Sequence, residues 1–223
     1  MNSPLHLYEE LMLLALHDRK GTVEIQYIEY AVAGAFLAEL LLEGKLSIDD
    51  SRKKIVSLRS NTNTDDPLLD DCLAQVSGSG KKRSLSYWIS KFSRQSDLRH
   101  RIARQLCHRQ ILRGEEDKVL LVFTRRIYPE LNPIPEREII NRIKEALEYE
   151  SSKASEQTIM LISITDQTGF LRNAIGKHNV KALKQRIKSL TSEESVGIVT
   201  GQLIAGVSAA IAAGAFGAAA SSG

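Results

Sequence analysis

The chain is poor in cysteine, proline and aromatic residues: its 223 residues include 2 Cys, 5 Pro and only 5% Phe, Trp and Tyr. Cys72 and Cys107 have no partners at metal-ligand spacing, which excludes a disulfide framework and a cysteine-based metal site. We therefore expect reduced thiols and a cytoplasmic location. The amino-terminal residues include Glu9 and Glu10 and lack the basic and then apolar regions of a signal peptide.

The motifs of common enzymes are also missing. The glycines form neither a phosphate-binding loop nor a dinucleotide-binding fingerprint. His100 and His108 are eight residues apart, about 12 Å along a helix, which is too far for both to bind one metal ion. His17 and Asp18 have no serine partner in the strand-turn-helix context of a nucleophile. The sequence therefore predicts no enzyme activity, no cofactor and no metal site.

The longest stretch without charge is the carboxyl-terminal one. Residues 196–223 contain no Asp, Glu, Lys or Arg, and the stretch is long enough to span a bilayer. However, nine Ala and six Gly make insertion only marginally favourable. We therefore favour a buried, closely packed helix, with a frayed end over about 217–223, over a transmembrane anchor.

Most of the remaining sequence has the spacing of amphipathic helices. Apolar residues also predict a strand at Leu46–Ile48 and a strand at Val119–Phe123 that returns through Ile127 and Tyr128. The predicted fold is mainly α, a single compact helical domain over residues 1–223 with a short protruding β-hairpin. The predicted helices lie near 3–21, at Tyr27–Leu42, at Leu68–Val76, from Ser84 or Ser86 to Phe92, and at Leu98–Leu112, Glu136–Tyr149, Thr158–Ile175 and Lys181–Leu190.

Positive charge is concentrated in one segment. The formal net charge of the chain is +3, but residues 81–113 hold ten basic side chains and a single acid, Asp97. That segment has a charge of +9, and the rest of the chain has a charge of −6. A concentrated basic surface on a mildly acidic protein indicates an anionic partner.

The predicted Leu98–Leu112 helix carries much of this charge. Arg94, Arg101 and Arg104 fall on one face of it, and Arg99 lies on the other flank, beside the apolar stripe. Arginines at one-turn spacing can make paired hydrogen bonds to phosphate oxygens. The arginines therefore form either a merely solvated surface or a binding surface for anionic lipid or nucleic acid.

Seven segments of the sequence carry a resemblance to a known family: Leu11–Gly21 (LMLLALHDRKG), Gly34–Leu40 (GAFLAEL), Gly44–Leu46, Trp88–Ile89, the Arg99–Leu112 helix, the Val119–Tyr128 hairpin and Arg172–Ala174. Together they resemble the Golgi phosphoprotein 3 family of phosphatidylinositol 4-phosphate-binding proteins. The first of them is the most specific, and the others follow in the family's order. The similarity covers residues 5–215.

The resemblance implies a single, mainly helical domain whose positively charged face binds a lipid headgroup and whose hairpin mediates self-association. It also implies a non-enzymatic adaptor that binds the cytosolic tails of membrane glycosyltransferases. We expect a divergent or bacterial member of the family, because the family's headgroup site is only partly kept. The implied location is cytoplasmic and peripheral to a membrane, at the Golgi only in a eukaryote.

The resemblance carries over only part of the family's headgroup site. The family uses a tryptophan near the start of its second helix, an arginine nine residues later and an Arg-x-x-Arg pair at the start of the basic helix. These positions fall here at Glu24, Ala33, Ser96 and Arg99, so the family residue is kept only at Arg99. The residues that we predict to bind the headgroup are Arg99, Arg94, Arg101 and Arg104.

Three functional hypotheses follow from the basic segment and the resemblance. The first is a peripheral membrane protein that binds anionic phospholipid, and the second is a protein-interaction scaffold without lipid specificity. The third, nucleic-acid binding, is less favoured because Trp88 and Phe92 have core spacing and do not predict exposed stacking platforms. We also predict a homo-oligomer formed through the hairpin residues Val119, Leu121, Phe123 and Tyr128. The alternative is that this strand packs on the protein's own helices.

Overall fold

The structure is a computed structural model that describes residues 4–16, 28–119, 123–149 and 154–192, with six residues between 201 and 209. Between residues 4 and 192, the described residues form ten helices and two small antiparallel sheets, which confirms the predicted mainly α class. The helices are α1 (Leu7–Ala15), α2 (Ile28–Leu42), α3 (Pro67–Ser77), α4 (Leu85–Phe92), α5 (Leu98–His108), α6 (Ile134–Glu148), α7 (Glu156–Thr168), α8 (Leu171–Ile175), α9 (Lys177–Ala182) and α10 (Lys184–Leu190). The strands are β1 (Leu46–Ile48), β2 (Ile55–Leu58), β3 (Arg83–Ser84), β4 (Glu115–Val119) and β5 (Phe123–Ile127).

Helix α2 is the central element because its sequence is apolar on all sides. Twelve of its fifteen residues are buried, and a helix of this kind is stable only when other elements enclose it. Helices α1, α3, α4 and α7 pack around it. Its small residues, Ala31–Ala35, let these neighbours approach closely.

Helix α1 is shorter and more buried than the sequence predicts. It begins at Leu7 and ends at Ala15, whereas the prediction extended to about residue 21; residues 17–27 lie outside the described ones. All nine residues of α1 are buried, because α2, α5, α6 and α7 all pack against it. The predicted amphipathic character of this helix is therefore wrong.

Two glutamates are buried in α1, and each has an arginine from a distant part of the chain. Glu9 Oε2 accepts hydrogen bonds from Arg109 Nη1 at 2.7 Å and from the His6 backbone N–H at 3.0 Å. Glu10 Oε2 accepts a hydrogen bond from Arg142 Nη2 at 2.6 Å. Burial raises the pKa of both carboxyls, that of Glu10 to about 7, against the opposing effect of its arginine.

A three-stranded antiparallel sheet with the order β1-β2-β3 follows α2. Gly44, at a φ of +68°, ends the helix and turns the chain into β1, and glycine has no steric penalty in that conformation. Leu46 pairs with Leu58, and Ile48 pairs with Val56. The predicted strand at Leu46–Ile48 is confirmed.

Helix α4 contributes large aromatic residues to the core. Ser84 caps it by accepting a hydrogen bond from the Tyr87 N–H at 3.3 Å. Trp88 is 1% exposed and Phe92 is fully buried, with their ring centroids 5.4 Å apart. The interpretation of these two aromatics as core residues is confirmed.

Helix α5 ends at His108, four residues before the predicted end. Gln110 has a φ of +59°, which breaks the helix. Ile111 and Leu112 then enter the core, each 3% exposed. Leu112 also pairs with Glu130, which closes the base of the hairpin that follows.

The strands of the hairpin begin and end at different residues from the predicted ones. Strands β4 and β5 pair from Glu115↔Ile127 to Val119↔Phe123, so the predicted strand at Val119–Phe123 is wrong. The ends of that run lie opposite each other, and residues 120–122 are outside the described residues. Pairs such as Glu116↔Arg126 place opposite charges at facing positions, which favours this register.

The predicted helix over Thr158–Ile175 is two helices. Gly169, at a φ of +81°, separates α7 from α8. The predicted basic helix over Lys181–Leu190 is likewise divided into α9 and α10. Arg186 of α10 donates hydrogen bonds to the carbonyls of Ala146 and Tyr149, at 3.3 and 3.2 Å, at the end of α6.

Most of the predicted helix within residues 196–223 lies outside the described residues. Of those described, Gly201 is buried and Gln202 donates a hydrogen bond to Asp50 Oδ1. A Cβ on Gly206 would lie 1.9 Å from Leu85 Cδ2, so this segment packs directly on the start of α4. In the part of the chain that the structure describes, the helices fall short of the length and apolarity needed to cross a membrane.

Candidate functional site

The candidate site lies where the chain turns between α4 and α5. Helix α4 ends at Phe92, and Asp97 then adopts a φ of +54° immediately before α5. Aspartate tolerates this left-handed conformation better than most residues with a side chain. Because Arg94 lies in this turn and not on α5, its position does not follow from the helical spacing of α5.

An open pocket of about 560 Å³ lies between this turn and the first turns of α2 and α5. We call it the α5 pocket. Residues of α2, of the turn and of α5 line it together, so three separate segments of the chain meet there. Its charged and titratable lining residues include Glu29, Arg94, Asp97, Arg99 and His100.

The pocket contains two of the four predicted headgroup arginines, Arg94 and Arg99. Arg101 is not among its lining residues; it forms an ion pair with Asp71 and donates a hydrogen bond to Gln95 Oε1 at 3.0 Å. Arg104 is exposed on α5 and is also not among the lining residues. Arg94 and Arg99 thus line the same pocket, although the helical spacing predicted them on different sides of the basic helix.

Carboxylates balance the positive charge of the α5 pocket. Arg99 Nε forms an ion pair with Glu29 Oε1, and the side chains are 40% and 28% exposed. Arg94 is exposed and makes no ion pair with a described residue. Asp97 supplies a second carboxylate, so the pocket lining holds two guanidinium groups and two acids.

Backbone groups add positive potential to the same pocket. The side chain of Asp97 makes no hydrogen bond to the start of α5. The N–H groups of the first turn of an α-helix lack partners within the helix, and the aligned peptide dipoles give that end a partial positive charge. Leu98, Arg99 and His100 of this turn line the pocket, which therefore favours an anion.

His100 connects the pocket to the hairpin. Its Nδ1 lies 3.0 Å from the Tyr128 hydroxyl oxygen, and Tyr128 is only 8% exposed. Tyr128 therefore anchors the base of the hairpin on α5 and does not face outward. Of the other predicted self-association residues, Leu121 lies outside the described residues, and only the backbone of Val119 and Phe123 is described.

The other three positions that the resemblance assigned to a headgroup site contribute no charge that the structure describes. Ala33 is fully buried in α2, Ser96 is exposed, and Glu24 lies outside the described residues. Sequence reasoning did not identify Glu29 as a pocket residue. The sequence did contain a clue to it. Glu29 is one helical turn before Ala33, which the resemblance assigned to the site, so both residues lie on the same face of α2.

A second polar group lies at the other end of α2. His6, Glu39 and Glu43 bring possible metal-ligand atoms within 4.8 Å of one another. Glu39 Oε1 already accepts a hydrogen bond from the Leu7 N–H and lies 3.8 Å from His6 Nδ1. The contact with Glu39 raises the pKa of His6 against the opposing effect of burial.

Exposed aromatic surface near the basic segment is limited. Tyr87 is 39% exposed, and the Arg83 guanidinium lies over its ring, 4.6 Å from the centroid. Trp88 is buried, and the Lys91 ammonium lies over its ring, 5.0 Å from the centroid. Bases that stack on a protein need open aromatic faces, which these two rings do not offer.

The fold and the pocket define a mainly α protein with an arginine-lined pocket between two helix starts. The sequence matches the family model of Golgi phosphoprotein 3 (GPP34) over residues 7–212, and the chain therefore belongs to that family. The resemblance seen in the sequence is confirmed. One similar protein is vacuolar protein sorting-associated protein 74 of Eremothecium gossypii, 26% identical over 132 residues. That match covers 50% of this chain and 40% of the relative, so it spans less than half of the relative's length.

Proposed function

We propose that this protein is a non-enzymatic peripheral membrane protein that binds anionic phospholipid headgroups in the α5 pocket. The observation that carries the proposal is the convergence of Arg94 and Arg99 on one open pocket at the start of α5. Guanidinium groups bind phosphate oxygens through two parallel hydrogen bonds, and free N–H groups at a helix start add to the attraction.

The family supplies the more specific form of the proposal. Membership implies phosphatidylinositol 4-phosphate as the headgroup and an adaptor that binds the cytosolic tails of membrane enzymes, at the Golgi in a eukaryote. The substitutions at Ala33 and Ser96 leave fewer cations than in the family's own site. We therefore expect weaker, more salt-sensitive binding, in which each arginine near an anionic surface contributes about 1 kcal/mol.

Replacing either pocket arginine is expected to weaken binding to anionic vesicles. Arg94→Ala and Arg99→Ala should each lower the vesicle partition coefficient about fivefold, the equivalent of about 1 kcal/mol. Co-sedimentation with vesicles of neutral lipid, neutral lipid plus phosphatidylserine, and neutral lipid plus phosphatidylinositol 4-phosphate measures this change.

Two arginine or lysine variants outside the pocket serve as controls. Lys188→Ala removes an exposed positive charge from α10 and should leave vesicle binding nearly unchanged. Arg104→Ala removes a cation from α5 outside the pocket and should have a smaller effect than Arg99→Ala. Equal recovery of the wild-type protein with neutral and anionic vesicles at low salt contradicts the proposal.

Self-association through the hairpin is a second part of the proposal. In the sequence Leu121 falls between β4 and β5, and the proposal places its apolar side chain in the contact between two copies. Leu121→Asp is expected to convert an oligomer to a monomer, because burying a carboxylate in an interface is costly. Light scattering coupled to size-exclusion chromatography measures the mass, and Leu131→Asp is the control, since Leu131 is 53% exposed outside the hairpin strands. A wild-type monomer, or an unchanged Leu121→Asp oligomer, contradicts this prediction.

A protein-interaction scaffold is the second candidate function. It is favoured by the balanced charge of the α5 pocket and by the exposed apolar residues Leu131 and Ile134, both 53% exposed. In a scaffold the pocket arginines are incidental. Arg99→Ala should then leave the capture of membrane-protein tails intact while vesicle binding is absent from the start.

A further inference from the structure

One contact in the α5 pocket is unfavourable for a simple anion site. Glu29 lies in the first turn of α2, and its carboxylate forms an ion pair with Arg99, the second residue of α5. An anion that binds Arg99 must therefore either displace this carboxylate from Nε or bind the remaining guanidinium N–H groups beside its negative charge. Glu29 and Arg99 are both partly exposed, so either side chain has room to turn away.

We propose that Glu29 is an intramolecular counter-ion that makes the α5 pocket selective for phosphate monoesters over phosphate diesters. The inference rests on the proposed function and concerns the selectivity of the same site. A diester carries one negative charge, the same as the carboxylate that it would replace. It gains little by exchange, because Arg99 loses one monovalent partner and acquires another.

A phosphate monoester differs from the carboxylate in charge and in geometry. At pH 7 it carries between about −1.5 and −2 charges and has three strong acceptor oxygens. Arg94, Arg99 and the first turn of α5 line the same pocket and offer these oxygens several donors, whereas the carboxylate of Glu29 pairs with Arg99. A monoester therefore competes with Glu29 for Arg99 more effectively than a diester does.

Asp97 is the matched carboxylate in the same pocket. It makes no ion pair with a described residue, so its removal changes the pocket's charge by the same amount without releasing Arg99. Asparagine also tolerates the left-handed φ of +54° at this position. Asp97→Asn thus separates the release of Arg99 from a general loss of negative charge.

The test compares Glu29→Gln with the wild type and with Asp97→Asn on three kinds of vesicle. These contain neutral lipid alone, phosphatidylglycerol as the diester, or phosphatidic acid as the monoester, at matched surface charge. The wild type should prefer the monoester. Glu29→Gln should bind the diester vesicles about two- to fivefold better, the scale of an exposed ion pair, with a lower monoester-to-diester ratio. Asp97→Asn should keep the wild-type ratio.

The outcomes separate the two proposals. The first outcome is that the wild type binds anionic vesicles, but Glu29→Gln does not change the monoester-to-diester ratio or Asp97→Asn changes it equally. In that case the counter-ion role is wrong and the proposed function stands. If neither protein binds any anionic vesicle, both are wrong. Inorganic phosphate is added as a soluble competitor. If inorganic phosphate releases the protein from vesicles only at concentrations far above that of the lipid, the ligand is a membrane headgroup. If it releases the protein at a concentration equal to that of the lipid, the pocket selects a free phosphate through Glu29, and membrane binding is overturned.

Discussion

Replacing Arg109 with methionine is expected to lower the free energy of unfolding by about 3–5 kcal/mol. Glu9 is fully buried, and its carboxylate accepts one hydrogen bond from Arg109 and one from the His6 backbone. Without the guanidinium, Glu9 must either stay charged in apolar surroundings or take up a proton. Each alternative lowers the stability of the folded protein. Because small proteins unfold with a free energy of about 5–15 kcal/mol, the loss is a large part of the total. Urea unfolding followed by circular dichroism measures it.

A second arginine in an ion pair provides the control for Arg109. Arg113 is 62% exposed and pairs with Glu115, which is 39% exposed. Arg113→Ala should cost at most about 1 kcal/mol, as exposed ion pairs usually do. The double variant Arg109→Met with Glu9→Gln should recover most of the lost stability, because the buried charge is gone. If Arg109→Met costs no more than Arg113→Ala, the buried pair has no special role.

The contacts of Glu9 show where sequence reasoning reaches its limit. Glu9 and Glu10 look like ordinary first-turn acids, which stabilise a helix start at the surface. Their arginines, Arg109 and Arg142, are 100 and 132 residues away in the sequence. Local periodicity contains no information on such partners, so the sequence could not predict that both acids are buried.

Local patterns did predict the helices and the aromatic core. The apolar run of α2, the strand at Leu46–Ile48 and the buried ring pair of Trp88 and Phe92 all depend on residues within one or two turns of one another. Predictions were wrong where a single backbone conformation decides the structure. Gln110 ends α5 early and Gly169 divides α7 from α8, both through a positive φ.

The α5 pocket combines both cases. The basic helix and Arg99 could be found from the sequence, since charge density and family resemblance both point to them. The sequence could not show that Arg94 and Glu29 lie in the same pocket as Arg99. Their positions depend on the turn at Asp97 and on the packing of α2 near α5. Charge counted along the chain gave +9 for this segment, whereas the pocket itself is balanced.

Stability is expected to fall as the pH rises from 4.5 to 7, because the pKa values of the buried Glu9 and Glu10 are both raised; the contribution of Glu10 can be tested separately. Burial raises the pKa of Glu10 from 4.5 to about 7, so the folded protein binds its proton more tightly than the unfolded chain does. A raised pKa gives a stabilising contribution that is complete below pH 4.5 and is lost as the pH passes through about 7. A shift of this size corresponds to at most about 3 kcal/mol. Urea unfolding at intervals between pH 4.5 and 8.5 measures the slope.

Removing the titrating group should flatten this profile, whatever it does to the absolute stability. Glu10→Gln keeps an acceptor for Arg142 but binds no proton, so its free energy of unfolding should change much less between pH 4.5 and 7. His6→Asn provides the complementary control. The pKa of His6 is raised from 6.5, chiefly by Glu39, so the stability that it contributes is lost above pH 6.5. That variant should change the slope mainly above pH 6.5 and leave the Glu10 step in place. A Glu10→Gln profile parallel to the wild type over pH 4.5–7 would show that another group carries the proton. A difference confined to this range assigns the proton to the buried carboxyl that Arg142 contacts.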